Sequence, residues 1–274
     1  MSRPDGAKTE DRRPKASAVR HEPSAPSRTP AITWSPWIAG ILVVASFLVA
    51  TVLGGFAISI WAAAKHLTGQ AAEDWVNAST GAQFTYTLIA YGLLLLPLWW
   101  FVRLRKVSLA TFGFKRIRWQ DPLRALLLLI PYYLCYYVIV TVVSALVPSL
   151  DVNQKQQIGF TSAHGVDLLL VFLSLVIIPP LVEETVVRGF LYTSFRAKLK
   201  LPIAVILTSL VFAAGHLQFG SGAPLLWIAA IDTFTLSLFL IYLREKTGSL
   251  WASICLHALK NGVAFFYLFI LHKG

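Results

Sequence analysis

The stretch TPAITWSPWIAGILVVASFLVATVLGGFAISIWAAA, residues 29–64, contains no Asp, Glu, Lys or Arg. It exceeds the roughly 20 apolar residues that carry a helix across a hydrocarbon core. Three further charge-free runs follow at 75–102, 125–150 and 201–231. Core helices of soluble domains typically run about 10–14 residues. Four such runs in one chain therefore point to an all-α, polytopic membrane helix bundle. Composition agrees: of 274 residues, 56% are hydrophobic and 14% charged, against about 25% charged in soluble domains. A disordered polymer is excluded, because such chains are poor in apolar residues. So is a disulfide scaffold, since Cys135 and Cys255 are the only cysteines.

Working outward, about seven spans are expected, near 37–62, 84–102, 123–146, 166–186, 201–218, 224–243 and 250–271. Trp34, Trp37, Trp99, Trp100 and Trp251 lie at expected span ends, where interfacial anchors belong. Residues 1–33 hold seven basic and four acidic side chains among Pro, Ser and Ala, and read as a disordered basic tail. The net charge of +11 raises a nucleic-acid reading. It is rejected, because the basic residues fall between apolar runs and are not interleaved with stacking aromatics. They follow the positive-inside rule instead. Arg103, Arg105, Lys106, Lys115, Arg116 and Arg118 mark one loop as cytoplasmic, and Glu73, Asp74 and Asp151 mark others as outside. The expected N-terminus is cytoplasmic and the C-terminus outside. Asn77-Ala78-Ser79 is a sequon on an expected outside loop, a pattern short enough to arise by chance.

The first three spans keep charges out of the membrane interior, whereas the C-terminal half does not. Glu183, Glu184, Arg188, Asp232 and Lys260 interrupt its apolar runs, joined by His216, His257 and Asn261. Each ionisable group at that depth costs a few kcal/mol even on lenient scales. Polar glue between helices is the alternative reading. Glu184 and Arg188 are four apart, so they share a helix face and can pair. Phe212 and His216, and His257 and Asn261, are also four apart. Pro179-Pro180 is expected to kink or break the fourth span. Lys260 is expected to snorkel along its helix. Cys255 is two residues from His257, on the wrong helix face for a thiol nucleophile. Water is the better nucleophile, with a carboxylate as general base and imidazole or amide groups at the oxyanion.

These residues carry a resemblance. Glu-Glu-Thr-Val-Val-Arg (183–188), Phe-Ala-Ala-Gly-His (212–216) and His-Ala-Leu-Lys-Asn (257–261) are similar to the E-E-x-x-x-R, F-x-x-x-H and H-x-x-x-N motifs of the CPBP family. That family comprises the type II CAAX prenyl proteases and their bacterial relatives, also called Abi. The resemblance covers about 161–274, leaving 34–160 as N-terminal transmembrane helices of no named kind. It implies an intramembrane endopeptidase acting near the cytoplasmic side. Glu183 would be general base and Glu184 its partner, held by Arg188. His216 would help bind the water or a metal, and His257 and Asn261 would complete the site. Zinc or another divalent metal, if used, would sit on Glu183, His216 and His257. His216 presents a conflict of depth: about 15 residues into its span, some 22 Å along a straight helix, it falls on the wrong side for Glu183.

The implied partners are the lipid bilayer and a protein or peptide substrate, lipidated in the archetypal CAAX reaction, with no nucleic acid. The implied location is the plasma membrane of a prokaryote. Two other classes stay open: a proton-coupled transporter, against which the lack of internal repeats counts, and a non-catalytic scaffold or immunity factor of the same fold.

Overall fold

The computed structural model describes residues 32–154, 159–160, 163–218 and 224–271. The tail reading, but for residues 32 and 33, lies outside them. Eight helices make up the described fold: α1 (Pro36–Ala64), α2 (Gln70–Ala78), α3 (Thr80–Leu104), α4 (Gln120–Leu146), α5 (Asp167–Arg196), α6 (Leu201–Ala214), α7 (Trp227–Thr247) and α8 (Trp251–Leu271). Six are long and apolar enough to cross a membrane; α6 is not. Local signals set the ends. Ser35 and Ser79 cap α1 and α3 with side-chain oxygens on Trp37 N and Ala82 N. Gly248 ends α7 in the left-handed conformation, φ 62°.

Two departures from the expected spans matter. The fourth was expected to stop at 186, yet α5 continues to Arg196. Glu184 and Arg188 are fully buried and paired with each other, so they do not mark a membrane boundary. The expected span at 201–218 is only a 14-residue helix, which ends at Ala214. Pro224 and Leu225 stand at the far end of the bundle. Gln154, in the loop after α4, donates to the carbonyls of Pro224 and Leu225 just before α7. Six spans of full length are therefore found among the described residues where about seven were expected.

These lengths remove the conflict over His216. Glu183 lies 13 residues before the end of α5, about 20 Å along the axis. His216 lies 15 residues past the start of α6, about 22 Å back up. The two therefore meet at one level. His257 reaches it because α8 starts deep in the bundle. Leu250 N bonds the carbonyl of Gly113, and a Cβ on Gly189 would touch Leu250.

The loop between α3 and α4 plugs that end. A 3₁₀ turn, Leu109–Phe112, leads to Gly113 at φ 95°, where any side chain would strike the Arg244 guanidinium at 2.7 Å. The Trp251 indole donates to the carbonyl of Lys115. Trp34, expected at the interface, is instead buried. It stacks on Phe190 and donates to Ser194 Oγ, pinning the start of α1 to the end of α5.

Candidate active site

The site begins with the double proline. In an α-helix the Leu175 carbonyl would accept from residue 179, and in a wider π turn from residue 180. Both are proline and have no N–H to give. Pro179 and Pro180 are buried just after a π-helical stretch, Leu173–Ile177, and a second one, Thr185–Leu191, follows Glu184. The helix is therefore wound wide on both sides of the glutamates rather than broken, a distortion common at functional sites. The orphaned Leu175 carbonyl accepts from Asn261 Nδ2 at 2.9 Å. Asn261 thus clamps α8 to the distorted turn, a task its sequence motif did not reveal. Its second N–H and its oxygen are outside this bond.

Glu184 and Glu183 are adjacent and differently held. Glu184 Oε1 accepts from Arg188 Nη1 at 2.9 Å and faces His257 Nδ1 at 3.0 Å. Three ionisable groups sit together in the dry interior, where an unpaired charge would be prohibitive. The Arg188 guanidinium also lies 4.2 Å over the Phe212 ring, a cation–π contact strengthened by desolvation. Phe212 in turn meets the rings of His216 and His257 edge-on. The three sequence motifs are thus knitted together through one aromatic side chain.

Glu183 points the other way. Its Oε1 accepts from the Tyr91 hydroxyl at 2.6 Å, and its Oε2 stands 3.9 Å from His257 Nε2. In the tautomer that donates Nδ1–H to Glu184 Oε1, His257 Nε2 is an acceptor. His216 follows the same pattern, with Nδ1 on the Phe212 carbonyl at 2.9 Å and its ring in the same cavity. Tyr91 comes from α3, a span the motifs do not touch. Its only sequence signal is a phenol in the middle of an apolar run.

Asp232 accepts from the Tyr132 hydroxyl and pairs with Lys260 Nζ at 2.9 Å. Lys260 therefore does not snorkel outward; it turns inward to a carboxylate at membrane depth. Both line the cavity of about 800 Å³ that holds Glu183, His216, His257 and Asn261. A second, more apolar cavity of about 560 Å³ lies between α1, α3, α5 and α6 and also reaches Glu183 and His216. Among the described residues no three His, Cys, Asp or Glu side chains stand in a metal-holding arrangement, so no step below runs through a metal.

The six residues expected to form the site, Glu183, Glu184, Arg188, His216, His257 and Asn261, all fall in one neighbourhood. Residues 165–263 match the family model described as Type II CAAX prenyl endopeptidase Rce1-like. No curated protein and no solved structure matches the chain.

Proposed function

We propose, for a chain whose residues 165–263 are of the Rce1-like type II CAAX prenyl endopeptidase family, that it is an intramembrane endopeptidase using an activated water. The observation that carries this reading is the contrast between the two glutamates. Glu184 is bound to Arg188 and His257, and Glu183 presents Oε2 opposite the acceptor nitrogen of His257. Two acceptors 3.9 Å apart suit a shared donor, and a water molecule supplies both protons. Glu183 takes one proton as the water attacks the peptide carbonyl, then passes it to the leaving amine. Tyr91 occupies Oε1 and so reserves Oε2 for that exchange. Glu184, held by Arg188, keeps the His257 proton on Nδ1. The remaining Asn261 N–H faces the reacting carbonyl, where a donor stabilises an oxyanion, and His216, whose Nδ1 is on the Phe212 carbonyl, offers Nε2 as an acceptor to the water.

The family supplies CAAX-type processing as the reference reaction, and the apolar cavity beside Glu183 is suited to a substrate's lipid chain. Glu183, His216 and His257, the donors a zinc ion would need, do not stand in a metal-holding arrangement, and the reading uses water alone. The basic end of the bundle faces the cytoplasm of a prokaryote by the positive-inside rule, with the start of α1 at that end. The test compares membrane proteomes of cells carrying the intact chain or Glu183→Gln. New C-termini that depend on Glu183 are expected. Identical C-termini in both would overturn the proposal.

A further inference from the structure

One ion pair in the chamber wall takes no part in the proposed hydrolysis. Lys260 is the only Lys or Arg lining the chamber among the described residues. A lysine at membrane depth costs a few kcal/mol even on lenient scales, yet the fold builds a support for this one. Lys260 Nζ meets Asp232 Oδ2 at 2.9 Å, and Asp232 Oδ1 accepts from the Tyr132 hydroxyl. Tyr132 is fully buried, with its ring edge-on to Phe239. The helices α4, α7 and α8 thus contribute one member each.

The two charges are not equally occupied. Each Asp232 oxygen has its donor. The ammonium has three N–H groups. One meets Asp232, and among the described residues no other acceptor is bonded to it. The Lys260 side chain is 23% exposed, and it lines the chamber. The carboxylate offsets the charge of the ammonium at this depth and leaves two N–H donors for whatever fills the chamber.

Lys260 is also close to the chemistry. It is adjacent to Asn261 and three residues from His257. Positions three apart are neighbours on a helix surface, about 5–6 Å between Cβ atoms. An extended peptide advances about 3.3 Å per residue. An acceptor bound at Lys260 therefore lies only a few residues from a carbonyl held at His257 and Asn261. The other ionic side chains lining the chamber, Glu73, Glu183 and Asp232, are acidic, so an anionic group finds its donor at Lys260. A chamber of about 800 Å³ has the size of a pocket for one small ligand, which suits the last few residues of a chain better than a chain that continues.

We propose that Lys260, set by Asp232 and Tyr132, is a specificity-determining residue that binds the free carboxylate of a peptide's C-terminus. Its bearing on where the chain is cut rests on the peptidase reading; the binding itself does not. A pair that only stitches α7 to α8 would change stability and show no preference among ligands.

Binding of a short peptide tests this without cleavage. The full chain in detergent is titrated with acetyl-Leu-Leu-Leu as the free acid and as its C-terminal amide, and the rise in melting temperature with each is followed. A hydrogen bond to a charged group is worth about 1.5–3 kcal/mol, so the acid is expected to bind roughly tenfold or more tightly than the amide. The double variant Lys260→Met/Asp232→Leu removes both charges and strands neither; in it the preference is expected to vanish while binding of the amide persists. Lys260→Gln keeps an N–H for Asp232 without the charge and is expected to lose the preference too, whereas Lys260→Arg and Glu183→Gln are expected to keep it. Equal binding of acid and amide by the unaltered chain overturns the proposal. So does binding of neither, or a preference that survives in Lys260→Gln or in the double variant. A chain that prefers the acid yet never cleaves would sink the peptidase reading and leave the carboxylate site in place.

Discussion

Toward the basic end, α5 packs Val186, Val187, Phe190 and Leu191 against α7, α8 and the start of α1 with aromatic and aliphatic side chains. Toward the opposite end, the same helices diverge around an 800 Å³ chamber whose floor is Glu183, His216 and His257. The dividing layer is the set Glu184, Arg188 and Phe212, buried and bonded to one another. The comparison teaches that the charges inside this bundle do two kinds of work. Those below Glu183 pair inside the core, and those above it line the chamber. On the proposed reading the paired set fixes geometry and the chamber admits substrate and water.

The sharpest way to break this division is to remove Arg188. Arg188→Met leaves Glu184 buried without its cation, and a broken buried pair costs about 3–5 kcal/mol. Thermal unfolding in detergent should show that loss, with partial recovery in the double variant Glu184→Gln/Arg188→Met. Recovery is expected in stability and not in cleavage.

Tyr91→Phe sharpens the open side. It deletes a hydrogen bond to a carboxylate worth about 1.5–3 kcal/mol. If that bond acts in the transition state, kcat should fall roughly tenfold to hundredfold beyond any loss of folded protein shown by the melting temperature. A variant that melts early and cleaves normally would make Tyr91 a packing group.

Asn261→Leu tests the chamber wall from α8. It leaves the Leu175 carbonyl without a donor, at about 1–3 kcal/mol. Asn261→Asp cannot donate either and should fail alike, whereas Asn261→Gln keeps a donor and should recover part of the stability. The smallest effect is expected at the plug. Trp251→Phe removes one hydrogen bond to the Lys115 carbonyl, about 0.5–1.5 kcal/mol, and should leave cleavage rate per folded molecule unchanged.

Much of this layout was legible in the residues. Charge-free runs placed the long helices to within a few positions, because lipid forbids unpaired charge over such lengths. Glu183, Glu184, Arg188, His216, His257 and Asn261 stood out because ionisable and amide groups at membrane depth are expensive. The ends of α5 and α6 were not legible by the same rule. The fourth span was expected to stop at 186, and the pairing of Glu184 with Arg188 shows how the helix runs on. α2 was missed, since its nine residues are short and amphipathic rather than apolar. Tyr91 and the Asn261 clamp were hidden for another reason. Each depends on a partner far along the chain, at separations of 92 and 86 residues, that no local spacing encodes.

The central claim is that Glu183, and not its neighbour's framework alone, moves the proton of the attacking water. The most direct measurement is cleavage of a Glu183-dependent substrate by membranes containing Glu183→Gln, with folding verified by an unchanged melting temperature. The account predicts that cleavage falls to background while the protein stays folded, because Arg188 keeps its partner Glu184. Cleavage at the rate of the unaltered chain would contradict it.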